Sequence, residues 1–251
     1  RFTTSKHRGI YPAWVFARGA YGRGFPTLGG FDQMTAIVGG FWDSMLSEGR
    51  RWWITANSDS HIHYSEGGVD FWPGEYSKTY VLANRNHADV IDGIRKGRVF
   101  VTTGDLVSEL FVTVSTGDRE AGIGGELVVD ANDTVTVEIG FRKPATPNAA
   151  GDNPAVERVD VVVGEVSSGR YDDLTIDRTT GTHVVQRFTD WASEGDMQMI
   201  RFRLDITTPV YLRVRGTNNK AELEPLADEV GEDPWQDLWF YSNPVFINVR
   251  G

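Results

Sequence analysis

The sequence predicts an α/β part over residues 1–107 followed by an all-β sandwich over residues 108–251. Three observations carry that division. Residues 41–105 read helix, strand, long loop, strand, helix, strand, and such alternation indicates an α/β sheet or barrel. From about residue 108 only strand patterns occur, separated by turn clusters. The charge changes at the same place. Residues 1–107 carry 12 Lys/Arg against 10 Asp/Glu, a balance of +2, and residues 108–251 carry 13 against 25, a balance of −12.

Taken in order, residues 1–30 are dense in Gly, Pro, Arg and aromatics and predict an irregular loop. Phe41, Trp42, Met45 and Leu46 share one helical face, and Gly49 supplies the stop, so 41–48 reads as a helix. Residues 52–57 read as a short buried strand. Residues 64–77 form a long loop carrying Glu66, Asp70 and Glu75 beside Phe71 and Trp72. A strand over 78–83 precedes a helix over 87–96, with Asn86 as N-cap, Asp89 in the first turn and Gly97 as the stop. A strand over 98–102 closes this part. The second part predicts strands over 109–115, 126–129, 133–141, 156–164, 182–189, 198–205, 209–215 and 244–249. Thr134-Val135-Thr136-Val137-Glu138-Ile139 shows the alternation of a sheet with one wet and one buried face.

Composition excludes several classes. No apolar run is long enough for a transmembrane helix, so no membrane span is expected. The chain has no cysteine, which rules out disulfides, thiolate metal sites and cysteine nucleophiles. A net charge of −10 makes nonspecific nucleic-acid binding unfavourable. The first residue is Arg1 and no signal peptide follows it, which fits a processed product or a fragment and leaves the compartment open.

The chemistry concentrates in Trp52-Trp53-Ile54-Thr55-Ala56-Asn57-Ser58-Asp59-Ser60-His61-Ile62-His63. In an extended chain residues two apart share a side. Asp59, His61 and His63 then point one way, and Ser58, Ser60 and Ile62 the other. A carboxylate with imidazoles at a strand end is the ligand chemistry of a Zn, Mn or Fe site. The spacing alone suits a capping aspartate and a buried, hydrogen-bonded histidine equally well. His63 also suits a loop contact to substrate. Arg18 and Arg23 offer forks that match carboxylate or phosphate oxygens, and they equally suit ordinary exposed loop charges. His87, at a helix start, and His183, in a sandwich strand, read as surface and structural residues.

Phe41 through Arg51, then Asn57-Ser58-Asp59-Ser60-His61, then Gly93-Ile94-Arg95-Lys96-Gly97-Arg98-Val99-Phe100-Val101-Thr102-Thr103-Gly104 together resemble the C-terminal part of PHP-domain metal-dependent phosphoesterases. The likeness spans roughly residues 40–107. It implies a distorted (β/α) barrel portion of that type and a centre of divalent ions, Zn, Mn or Fe. Asp59 and His61 stand at the family's Ser-Asp-x-His position, and His7 matches its single mid-barrel histidine. A small phosphorylated substrate and phosphoester hydrolysis follow from the same likeness. The family's opening His-x-His motif does not precede the matching region. The remaining ligands would then come from a missing N-terminal segment or from another polypeptide, including a second copy in a homo-oligomer. Two rival expectations stand beside this one: an inactive binding or structural module, and an amidohydrolase-type metal enzyme acting on C–N bonds.

Overall fold

A computed structural model describes residues 26–58, 71–167, 178–228 and 233–250. Among them are three helices, α1 (Gln33–Ala36), α2 (Phe41–Ser47) and α3 (His87–Arg95). The strands are β1 (Ser77–Val81), β2 (Val99–Thr103), β3 (Glu109–Thr116), β4 (Arg119–Gly122), β5 (Glu126–Val129), β6 (Asp133–Arg142), β7 (Arg158–Glu165), β8 (Thr182–Phe188), β9 (Ala192–Glu194), β10 (Met197–Ile206), β11 (Val210–Thr217), β12 (Trp239–Ser242) and β13 (Val245–Val249).

Among the described residues strand accounts for 42% and helix for 10%, so the α/β barrel portion expected of the first part does not form. The decisive element is β1–α3–β2. Its order is that of a parallel crossover unit, yet the strands pair antiparallel, with Lys78 opposite Thr102 and Tyr80 opposite Phe100. Leu82 donates its amide to the Arg98 carbonyl, so the chain leaves and re-enters the ladder at the same end. The helix is therefore an excursion within a hairpin connection, and no crossover is made. Its local signals hold. The Asn86 side chain accepts from the Asp89 amide, and Gly97 takes φ +70° beside the Trp53 indole, where a Cβ would collide.

The strands form two sheets. One has five strands in the order β4-β3-β6-β10-β9. The other has eight, running β1-β2-β12-β11-β7-β8, with β13 beside β11 and β5 beside β13. β2, from the first part of the chain, pairs with β12, so this sheet crosses position 107 without a break. β12 and β13 are successive halves of one line against β11. Between them the register advances by one residue at Asn243-Pro244. Proline has no amide to donate, and a bulge is where a sheet tolerates it.

The two sheets pack face to face. Leu110, Val112 and Val114 of β3 and Val135, Val137, Ile139 and Phe141 of β6 meet Val159, Val161, Leu212, Val214 and Phe240. Fully burying each such side chain contributes about 1.5–3 kcal/mol. On the five-stranded sheet the expected wet face is present, with Arg201 between Glu138 and Glu194 at 2.5 Å each.

The eight-stranded sheet departs from that expectation. Every residue of β11 is buried. Residues 26–58 lie across its outer face as a third layer. Phe31 and Ala36 pack with Val99, Val101, Trp239 and Tyr241, and Trp42 and Leu46 pack with Tyr211 and Phe246. The polar positions of this alternating strand are covered, and their charges are paired inside.

Candidate functional site

The residues that lead to the Asp59-x-His61 motif are held in place by side chains. Residues 51–58 belong to no sheet, which corrects the strand expected over 52–57. Two side chains stand in for the missing neighbour strand. Ile54 donates its amide to Asn243 Oδ1 at 2.9 Å, and Asn243 Nδ2 donates to the Ile54 carbonyl at 3.5 Å. Two residues on, Ala56 donates to Thr79 Oγ1 at 2.8 Å, and that hydroxyl donates back to the Ala56 carbonyl at 2.8 Å. Residues two apart face the same way in extended chain, so both clamps grip one edge. Asn243 is free for this task because it sits at the bulge between β12 and β13.

Aromatic residues fix the start of the segment. Trp42 donates its indole N–H to the Trp52 carbonyl at 2.9 Å, and Trp53 donates its own to the Arg95 carbonyl at the end of α3 at 2.9 Å. Arg51 lies 3.5 Å above the Phe246 ring and pairs with Glu126 at 2.7 Å.

Beneath this layer lies a buried charge network. Arg213 makes a two-pronged pair with Asp43 of α2 at 2.8 and 2.7 Å, and both side chains are wholly buried. The Tyr211 hydroxyl donates to Asp43 Oδ1 at 2.9 Å and meets Thr182 Oγ1 at 2.7 Å. Arg215 takes a two-pronged carboxylate from Glu224 and shares Asp160 with Arg158. Burial, reinforced by the Asp43 charge, pushes the Tyr211 phenol far above its ordinary range. Burial does the same to Tyr241, against the opposing pull of Arg215 and Arg213. Among the described residues, Arg213 Nη1 and Tyr241 Oη have no hydrogen-bond partner.

Asp59, His61, His63 and His7, and likewise Arg18, Arg23, Glu66 and Asp70, lie outside the described residues. Of the other residues singled out, Glu75 accepts the Trp72 amide at 2.9 Å and so serves its own turn. His87 and His183 are exposed on α3 and β8. Among the described residues no three His, Cys, Asp or Glu side chains gather as metal ligands would. The supports that sequence reasoning missed are Asn243, Thr79 and the Asp43–Arg213 pair. The visible signal for the last was Tyr211-Leu212-Arg213-Val214-Arg215, where arginines alternate with large apolar residues at strand period.

No family model matches the chain, and no curated protein matches it.

Proposed function

We propose that the chain contributes to metal-dependent hydrolysis of a phosphoester, with Asp59 and His61 as ligands of a divalent ion. The observation that carries this reading is the Ser58-Asp59-Ser60-His61 motif, placed directly after a segment whose backbone is clamped at Ile54 and Ala56. A carboxylate and an imidazole suit Zn, Mn or Fe by their chemistry. The bound ion would polarise a phosphoryl oxygen and lower the pKa of its water. The chain's own contribution is positional. Asn243 and Thr79 fix the approach to the motif, so little conformational freedom is left to lose on binding. Arg18 and Arg23 supply the charges for a phosphate, and His63 and His7 complete the proposed donor set.

The test is hydrolysis of matched aryl phosphate and aryl amide substrates with added Zn, Mn or Fe, in the parent chain and in Asp59→Asn and His61→Ala. The reading expects phosphate turnover that either substitution lowers by about a hundredfold or more. Turnover unchanged by both substitutions would sink it. Turnover confined to the amide would replace it with the C–N hydrolase.

A further inference from the structure

Three neighbouring strands set a row of charge on the outer face of the eight-stranded sheet. Arg215 of β11 stands opposite Asp160 of β7, and Asp160 stands opposite Arg187 of β8. Arg158 lies two residues before Asp160 and shares its face. Asp160 accepts from Arg158 Nε at 2.8 Å and from Arg215 Nε at 3.0 Å. The terminal nitrogens of Arg215 are left for another partner. Nη1 and Nη2 each donate to a Glu224 oxygen at 2.7 Å, and Nη2 also reaches the Leu223 carbonyl at 3.2 Å.

The two partners of that fork are unequally buried. The Arg215 side chain is wholly buried, whereas the Glu224 side chain is 53% exposed. Glu224 comes from the connection between β11 and β12, where Leu223 and Leu226 also face solvent. Its carboxylate caps a buried guanidinium from outside and can swing away with little loss of apolar contact. Arg187 is the odd member of the row. It approaches Asp160 and Glu224 Oε1 at 3.7 Å each, too far for a hydrogen bond. Among the described residues its guanidinium donors have no acceptor within hydrogen-bond range. A carboxylate has two oxygens, and the Arg215 fork takes both. A third oxygen, out of their plane, is what Arg187 lacks.

We propose that Arg215 and Arg187 form a binding site for inorganic phosphate, which Glu224 fills as a built-in stand-in. Arginine forks match carboxylate and phosphate oxygens alike, so phosphate takes over the Nη1 and Nη2 contacts of Arg215 when Glu224 swings out. Its tetrahedral shape supplies the further oxygen for Arg187. Charge favours the exchange as well: Arg158, Arg187 and Arg215 face only Asp160 and Glu224, and departure of Glu224 leaves one carboxylate among three guanidiniums. Glu224 lowers the apparent affinity by the fraction of time it spends in place. The site is independent of metal binding at Asp59 and His61.

The test titrates inorganic phosphate into the isotopically labelled full chain, against chloride and acetate at matched ionic strength, and follows the guanidinium Nε–H signals. Phosphate should shift Arg215 and Arg187 saturably and leave Arg201, on the far sheet, in place. Glu224→Ala, at an exposed position, should bind phosphate about tenfold more tightly, since the competing carboxylate is gone. Arg187→Gln should weaken phosphate by about tenfold, as loss of one charge-assisted contact implies, and leave acetate unchanged. Asp59→Asn with His61→Ala should bind phosphate as the parent does. Three outcomes overturn the proposal: phosphate moves these signals no more than chloride does, in the parent and in Glu224→Ala alike; acetate binds as tightly as phosphate and Arg187→Gln changes neither; or the double substitution at Asp59 and His61 abolishes the shifts, which would place the phosphate at that motif.

Discussion

The eight-stranded sheet packs its two faces by different physics. Its inner face meets the five-stranded sheet through Val159, Val161, Leu212, Val214 and Phe240, with no charge among them. Its outer face carries Arg158, Arg213 and Arg215 beside Trp239, Tyr211 and Tyr241, and residues 26–58 close over them. The layers themselves differ as well. The five-stranded sheet exposes Phe111 as its one large apolar ring among the described residues, whereas residues 26–58 and α3 expose Met34, Phe41, Trp52, Val90, Ile91 and Ile94. A core made of area alone tolerates any well-shaped neighbour. A cover made of paired charges accepts a single placement, because each displaced carboxylate leaves a buried arginine uncompensated. The outer layer is thus set in register by Asp43 and Asn243, while the sandwich beneath supplies most of the hydrophobic stabilisation.

Removing one partner of the buried pair should have the largest effect. Asp43→Ala is expected to destabilise by about 3–5 kcal/mol in denaturant unfolding, because Arg213 stays buried without its countercharge. Phe240→Ala in the inner core should cost a similar 3–5 kcal/mol by a different route, the cavity it leaves. The contrast lies in rescue. Asp43→Leu combined with Arg213→Met should recover most of the loss, since apolar replacement of a whole buried pair is often neutral or better. If the double replacement is as damaging as the single one, the pair is not what sets the outer layer.

Alkaline pH attacks the outer face through two tyrosines. Tyr211 and Tyr241 have folded pKa values raised above the ordinary 10.0. A raised folded value stabilises the fold fully below pH of about 10, and that stability is lost as pH climbs past it. Phenolate absorbance from these two residues should therefore appear only together with unfolding. Ionisation of both in a still-folded chain would contradict their burial.

Two smaller effects complete the ordering. Asn243→Ala strands the Ile54 amide and carbonyl and should cost about 1–3 kcal/mol, with faster exchange at Ile54 while the sandwich amides hold. Arg201→Ala on the exposed sheet face should leave the unfolding midpoint almost unchanged, because solvent screens its two ion pairs.

Periodicity made much of this fold legible. The apolar stripe of Phe41, Trp42, Met45 and Leu46 became α2, Asn86 and Gly97 bounded α3, and the alternation from Thr134 to Ile139 became β6. Direction was not legible. Nothing local in Lys78–Val81 or Val99–Thr102 distinguishes an antiparallel return from a parallel crossover, because a helix intervenes in either case. Burial of charge was hidden for a related reason. Arg213 looks solvated until Asp43, 170 positions away, is known to face it. Residues 52–57 read as a strand because their side chains suit one. Their hydrogen bonds go to Asn243 and Thr79, and no pattern within the segment reveals that. The proposed ligands Asp59 and His61 rest on the motif itself.

The most direct test of the account joins the clamped segment to the motif that follows it. Mn²⁺ added to the isotopically labelled chain should broaden amide signals paramagnetically. The account predicts strongest broadening at Ser58, falling through Ala56 to Ile54, and its loss in Asp59→Asn with His61→Ala. Broadening that is absent from Ile54–Ser58, or that survives both substitutions, would contradict it.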